Sequence, residues 1–159
     1  MRCAGAAFML LLLTGCRYKV ILTLQWDDVK GSRLHLRDSK TGPRTVWLGA
    51  AAREVIDDLP RQSRNPWLLW NYQCHRPIKC IRHTWLQIID RAALGKLRIH
   101  DLRHTFASHA AMNKETLPMI GRLLGHANHR STARYAHLDD GHLLDAAQQV
   151  GDVIEGLLA

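Results

Sequence analysis

Acidic side chains are too few to balance the basic ones: Asp plus Glu number 14 against 22 Lys plus Arg, leaving the 159 residues with a formal charge of +8. That imbalance favours a polyanionic partner, either nucleic acid or an anionic membrane surface. Long apolar runs are also missing. The best, Ala6 to Leu13, falls well short of the roughly 20 residues that a membrane-spanning helix needs. No cysteine framework is present either. Residues 3, 16, 74 and 80 are the four cysteines, their spacing is irregular, and 47% hydrophobic residues suffice for a core without staples, so reduced thiols in a cytoplasmic protein are expected. No internal repeat, low-complexity tract or linker interrupts the chain, which makes one compact domain the expectation.

Two local patterns invite other readings. The stretch Phe8-Met-Leu-Leu-Leu-Leu-Thr-Gly-Cys-Arg17, with Arg2 before it, has the outline of a lipoprotein leader cut at Cys16. The competing reading is a buried helix closed by Gly15. Cys74-His75, Cys80 and His83 suggest zinc, yet they lack the paired short spacings of a structural site, and Ile78, Ile81 and Trp85 interleave with them at helical intervals. Neither metal nor cofactor is expected.

Periodicity gives a coarse map. Helices are expected over residues 4–14 and 17–24. Leu34 and Leu36 alternate with His35 and Arg37, and turn residues 38–43 then lead into Thr45-Val46-Trp47-Leu48, a β-hairpin with Lys40 near its tip. A helix over 50–59 follows, then a short extended piece at 67–70. A long helix over 76–94 ends at Gly95, and further helices cover 100–112, 116–124, 131–137 and 141–158.

The stretch from Ile99 to Leu138 carries the chemistry. It contains His100-Asp101-Leu102-Arg103, then Leu124-Gly125-His126, then Tyr135, and this order and spacing resemble the catalytic signature of the tyrosine recombinase (phage integrase) family. Thr14-Gly15-Cys16-Arg17 resembles the family's first arginine motif, and Ser39-Lys40-Thr41-Gly42 its catalytic lysine. The resemblance therefore implies six site residues: Arg17, Lys40, His100, Arg103, His126 and Tyr135. It also decides the opening ambiguity, since a leader would leave that six-residue order unexplained. The family has an acidic residue three positions after the first arginine, where this chain has Val20.

The residue types suit the chemistry on their own terms. A phosphodiester is an anion, and planar guanidinium groups such as those of Arg17 and Arg103 neutralise its non-bridging oxygens with paired hydrogen bonds. His126 could add a third donor. His100 and Arg103, three apart, share a helix face. A phenol with a pKa of about 10 needs a base or a cationic setting to act at neutral pH, and His100 could accept the Tyr135 proton. By resemblance, Tyr135 attacks the phosphate to form a 3'-phosphotyrosine link, and Lys40 protonates the departing 5'-oxygen. The covalent link conserves the bond energy, so neither ATP nor metal is called for.

The resemblance implies an α+β, mainly helical catalytic-domain fold with a small antiparallel β-sheet, covering residues 1–159 as the catalytic half of a longer enzyme. Double-stranded DNA is the expected partner, with Arg44, Arg76, Lys79, Arg82, Lys114, Arg122 and Arg130 as candidate backbone contacts. A homotetramer on DNA is expected of the full-length enzyme and a monomer of this fragment. Residues 140–158 present Leu143, Leu144, Ala147, Val150, Val153, Ile154, Leu157 and Leu158 for a neighbouring protomer, or for their own domain. His104, His109, His129 and His137 read as structural or surface residues, and a metal site at His100, His104 and His109 fails because His109 turns off the shared face. Type IB topoisomerase-like relaxation, a DNA-binding remnant without catalysis and an exported lipoprotein are the alternatives.

Overall fold

Alanine, leucine and methionine fill Arg2–Thr14, and these strong helix formers make α1. Ala7, Leu10 and Leu11 are almost fully buried, so the apolar run is the central helix of the core. Burial stabilises each such leucine by about 1.5–3 kcal/mol. Among the described residues, no helix is long and apolar enough to cross a membrane. The computed structural model describes residues 2–37, 42–73, 76–126, 128–138 and 143–158.

Helix α2 (Tyr18–Leu22) turns back beneath α1. A three-stranded antiparallel meander follows: β1 (Val29–Lys30), β2 (Arg33–Leu36) and β3 (Arg44–Trp47). Leu34 and Leu36 face inward while Arg33 and His35 face out, and Leu34 pairs with Val46 and Leu36 with Arg44. The period-two pattern of the sequence thus marks the buried face correctly. Helix α3 (Ala50–Asp57) packs Ala52 and Ile56 inward, with α1 as its neighbour. A second, two-stranded sheet pairs β4 (Trp70–Asn71) with β5 (Arg76–Pro77).

That second sheet corrects the long helix expected over 76–94. Pro77 pairs with Trp70, and the Ile78 N–H donates to the Leu69 carbonyl at 3.2 Å, so this backbone is committed to the sheet edge. Proline, which has no N–H to give, is tolerated there. Helix α4 is confined to Arg82–Arg91. It is pinned by Phe8 against Trp85, with ring centroids 5.1 Å apart, and by the Trp85 indole donating to the Leu97 carbonyl at 2.8 Å.

Helices α5 (Asp101–Met112) and α6 (Leu117–Leu124) form a second cluster. Thr116 caps α6 by accepting the Met119 N–H, and Gly125 ends it in the left-handed conformation. The helix expected over 131–137 is instead two 3-10 turns, His129–Ser131 and Ala133–Leu138. Helix α7 (Leu143–Leu158) follows, with Val150, Val153, Ile154 and Leu157 at least half exposed. Along that row it does not pack back on its own domain.

Gly15 is where the two clusters meet. Its φ of +60° closes α1, and an added Cβ would lie 2.5 Å from Phe106 Cδ1 and 2.9 Å from Leu124 Cδ2. Left-handed strain and overpacking each cost about 1–3 kcal/mol. Gly15→Ala is expected to lose about 2–4 kcal/mol of stability, read as a lowered urea midpoint at unchanged slope.

Candidate active site

Arg17, His100, Arg103 and His126 sit at or next to helix ends, and Tyr135 lies within a 3-10 turn. Arg17 is the N-cap of α2, two residues past the left-handed Gly15, and its Nη2 reaches the Gly125 carbonyl at 3.5 Å. Arg103, in the first turn of α5, is 5% exposed and donates from Nη1 to the Gly15 carbonyl at 2.6 Å. These two bonds tie the loop after α1 to α5 and to the end of α6. His126 follows Gly125, and its Nδ1 and the Thr132 hydroxyl are 2.8 Å apart. Tyr135, 5% exposed, lies in the second 3-10 turn. The structure therefore brings Arg17, Arg103, His126 and Tyr135 together from four elements. His100 caps α5 at the rim, exposed to solvent. Lys40 lies outside the described residues, as do Cys74 and His75 of the zinc reading.

Charge is lopsided here. Burial, then the Arg17 and Arg44 cations, press the Arg103 guanidinium down to about 10. Burial, followed by Arg103, Arg17, Arg134 and Arg44, presses His126 down to about 4, which keeps its ring neutral at pH 7. Among the described residues, the only side-chain ion pairs are Arg53 with Asp57 and Arg98 with Asp101, and neither engages Arg17, Arg44 or Arg103. Three arginines thus converge without a described carboxylate to balance them.

Arg44 is one of seven candidate backbone contacts, and it is the one drawn into the site. Its Nη2 donates to the Cys16 thiol sulfur at 3.5 Å, while Nε and Nη1 are buried without a hydrogen-bond partner. Its guanidinium lies against Gly125, where an added Cβ would collide with Nη1, so only glycine leaves room for it. The pairing of Arg44 with Leu36 places this arginine at the root of the hairpin that carries Lys40. Arg76, Lys79, Arg82, Lys114, Arg122 and Arg130 are exposed and spread over the surface.

Sequence reasoning left His104 as a structural or surface residue, without a role toward Tyr135. Its Nδ1 and the Tyr135 hydroxyl are 2.7 Å apart, and its ring meets the edge of His100 at 5.0 Å between centroids. The signal was available in principle, because His104 lies one helical turn beyond His100. Burial raises the Tyr135 phenol above its ordinary value, against the opposing pull of Arg134 and Arg103. Among the described residues, no three His, Cys, Asp or Glu side chains are grouped to hold a metal ion.

A family profile matches residues 2–142, and the chain belongs to the phage integrase family. The integrase of Escherichia phage 186 is 49% identical over 138 residues, spanning 86% of this chain and 38% of that protein. The catalytic domain of bacteriophage HP1 integrase superposes with a TM-score of 0.69 at 26% identity, covering 91% of this chain and 80% of that one. XerH site-specific recombinase, solved bound to palindromic difH substrate in a post-cleavage complex, shares the fold with a TM-score of 0.69 at 23% identity, covering 91% and 44%. The chain thus spans about two-fifths of the length of the phage 186 integrase.

Proposed function

We propose that this chain is the catalytic domain of a site-specific DNA recombinase, which cuts and rejoins strands through a 3'-phosphotyrosine link to Tyr135. The observation that carries this reading is the cluster of Arg17, Arg44 and Arg103 with no described carboxylate, two of its guanidinium nitrogens being buried and unpartnered. A buried charge of this kind is costly unless an anion completes it. A phosphodiester supplies two non-bridging oxygens suited to guanidinium forks. The same residues then neutralise charge as the phosphorus passes through its transition state.

Each residue has a role in this scheme. Arg17, Arg44 and Arg103 hold the scissile phosphate, and neutral His126 donates a hydrogen bond to it. Tyr135 is the nucleophile, and Lys40 delivers a proton to the departing 5'-oxygen. Double-stranded DNA as substrate is supported by the net charge of +8 and by XerH, which is named as bound to its difH substrate. The exposed apolar row of α7 suits a neighbouring protomer in an assembly on DNA.

Incubation with a nicked suicide duplex, from which the freed 5' fragment diffuses away, tests the reading. The expected result on a denaturing gel is a protein–DNA adduct. Duplex cleaved by hydrolysis, with no adduct, would rule it out.

A further inference from the structure

The mechanism as stated leaves the Tyr135 proton without a destination, and the structure supplies one. We infer that His104 is the general base of the cleavage step: its Nδ1 takes the phenolic proton as the Tyr135 oxygen attacks the phosphate. This rests on the recombinase reading and adds a residue to it. Tyr135 is 5% exposed, so bulk hydroxide has little access to its hydroxyl, which lies 2.7 Å from His104 Nδ1. That distance is within the range required for direct proton transfer. Acceptance requires the tautomer with hydrogen on Nε2, leaving Nδ1 with a free lone pair.

The surroundings set the protonation state. Burial lowers the His104 pKa, Arg134, Arg98 and Arg103 lower it further, and Asp101 opposes them. His100, the other ring in contact, is likewise pressed down, chiefly by burial. His104 is therefore neutral at pH 7 and free to accept. Atoms and charge balance in the step. The Tyr135 oxygen–phosphorus bond forms as the phosphorus–5'-oxygen bond breaks, the phenolic proton moves to His104, and a separate proton from Lys40 goes to the 5'-oxygen. In the rejoining step the proton on His104 returns to the phenolate as Tyr135 leaves. His100, one turn away, meets His104 edge-on, while the Tyr135 hydroxyl itself is in hydrogen-bond contact with His104.

The test is single-turnover cleavage of the suicide duplex by the native chain and by His104→Gln from pH 6 to 9. Glutamine keeps an acceptor for the hydroxyl and cannot carry the proton away. The variant is expected to cleave about 100-fold more slowly at pH 7, the lower end for a lost general base. Its rate should then climb about tenfold per pH unit as the phenol ionises unaided, whereas the native rate flattens above the His104 pKa. Installing a fluorinated tyrosine that ionises near neutral pH at position 135 should restore most of the His104→Gln rate. A purely structural role predicts the same loss at every pH and no rescue, and either result would overturn the inference. Absence of adduct from the native chain would count against the recombinase reading. The base assignment is then decided by nitrogen NMR of the native chain at pH 7: neutral His104 with its hydrogen on Nε2 and an Nδ1 signal sensitive to Tyr135→Phe supports it. A charged ring, or hydrogen on Nδ1, overturns it.

Discussion

Tyr135→Phe is expected to abolish the covalent protein–DNA adduct while leaving duplex binding nearly unchanged. The substitution removes one oxygen, which is the attacking atom, and leaves a ring that fills the same buried space among Ala107, Ala110, Ile120 and Leu124. On the proposed reading the phosphate contacts, those of Arg17, Arg44 and Arg103 among them, supply the affinity and are not touched. A structural cost accompanies the loss, because the 2.7 Å bond to His104 disappears and leaves an imidazole nitrogen without that partner. Such an orphaned group costs about 1–3 kcal/mol when buried, and less here since His104 is only partly buried. Denaturing gels and fluorescence anisotropy on the same duplex decide the matter. An adduct of undiminished yield would remove Tyr135 as nucleophile, and a large fall in affinity would show that the phenol holds DNA instead.

Lys40→Ala and Arg103→Ala are both expected to slow cleavage by at least about 100-fold, yet only the lysine variant should be rescued by a 5'-bridging sulfur. An alkoxide is a poor leaving group, with water's pKa of about 15.7 as a guide. A thiolate, near cysteine's value of about 8.5, departs without a proton donor. The need for Lys40 should then largely vanish. On the proposed reading Arg103 acts elsewhere, on the non-bridging oxygens, and in the structure it anchors the Gly15 carbonyl at 2.6 Å. Sulfur in the bridge changes neither task. Thermal melts accompany the rates, because removing a buried guanidinium also strips the Gly15 carbonyl of its donor. Equal rescue of both variants, or of neither, would refute the acid role of Lys40.

What the sequence made legible follows from how each feature is encoded. The β2–β3 hairpin was readable because Leu34, Leu36 and Val46 alternate on a pleated ladder with period two. Arg17, Arg103, His126 and Tyr135 could be expected together because their order is written as linear motifs, and the fold does bring these four into one cluster. Helix α4 was misplaced because Arg76–Pro77 pairs with Trp70–Asn71, a partnership that local propensity does not reveal. The contribution of Arg44 was understated for a similar reason. A basic residue in a turn-flanking strand looks like many others until the fold seats it against Gly125, some eighty residues later in the chain. His104 was left without a role toward Tyr135 because it shares a helix with two residues already given roles, and only the second 3-10 turn brings Tyr135 to it.

Two of the bonds that assemble the site join positions far apart in sequence: Arg103 to Gly15 spans 88 residues and Arg17 to Gly125 spans 108. No segment folded on its own can gather these guanidinium groups around one phosphate. Loop closure between such remote positions is entropically expensive. A nascent or partly unfolded copy therefore carries its tyrosine without the cations that would arm it. On the proposed reading, the wide separation would act as a folding checkpoint, withholding the strand-breaking centre until the whole domain is in place.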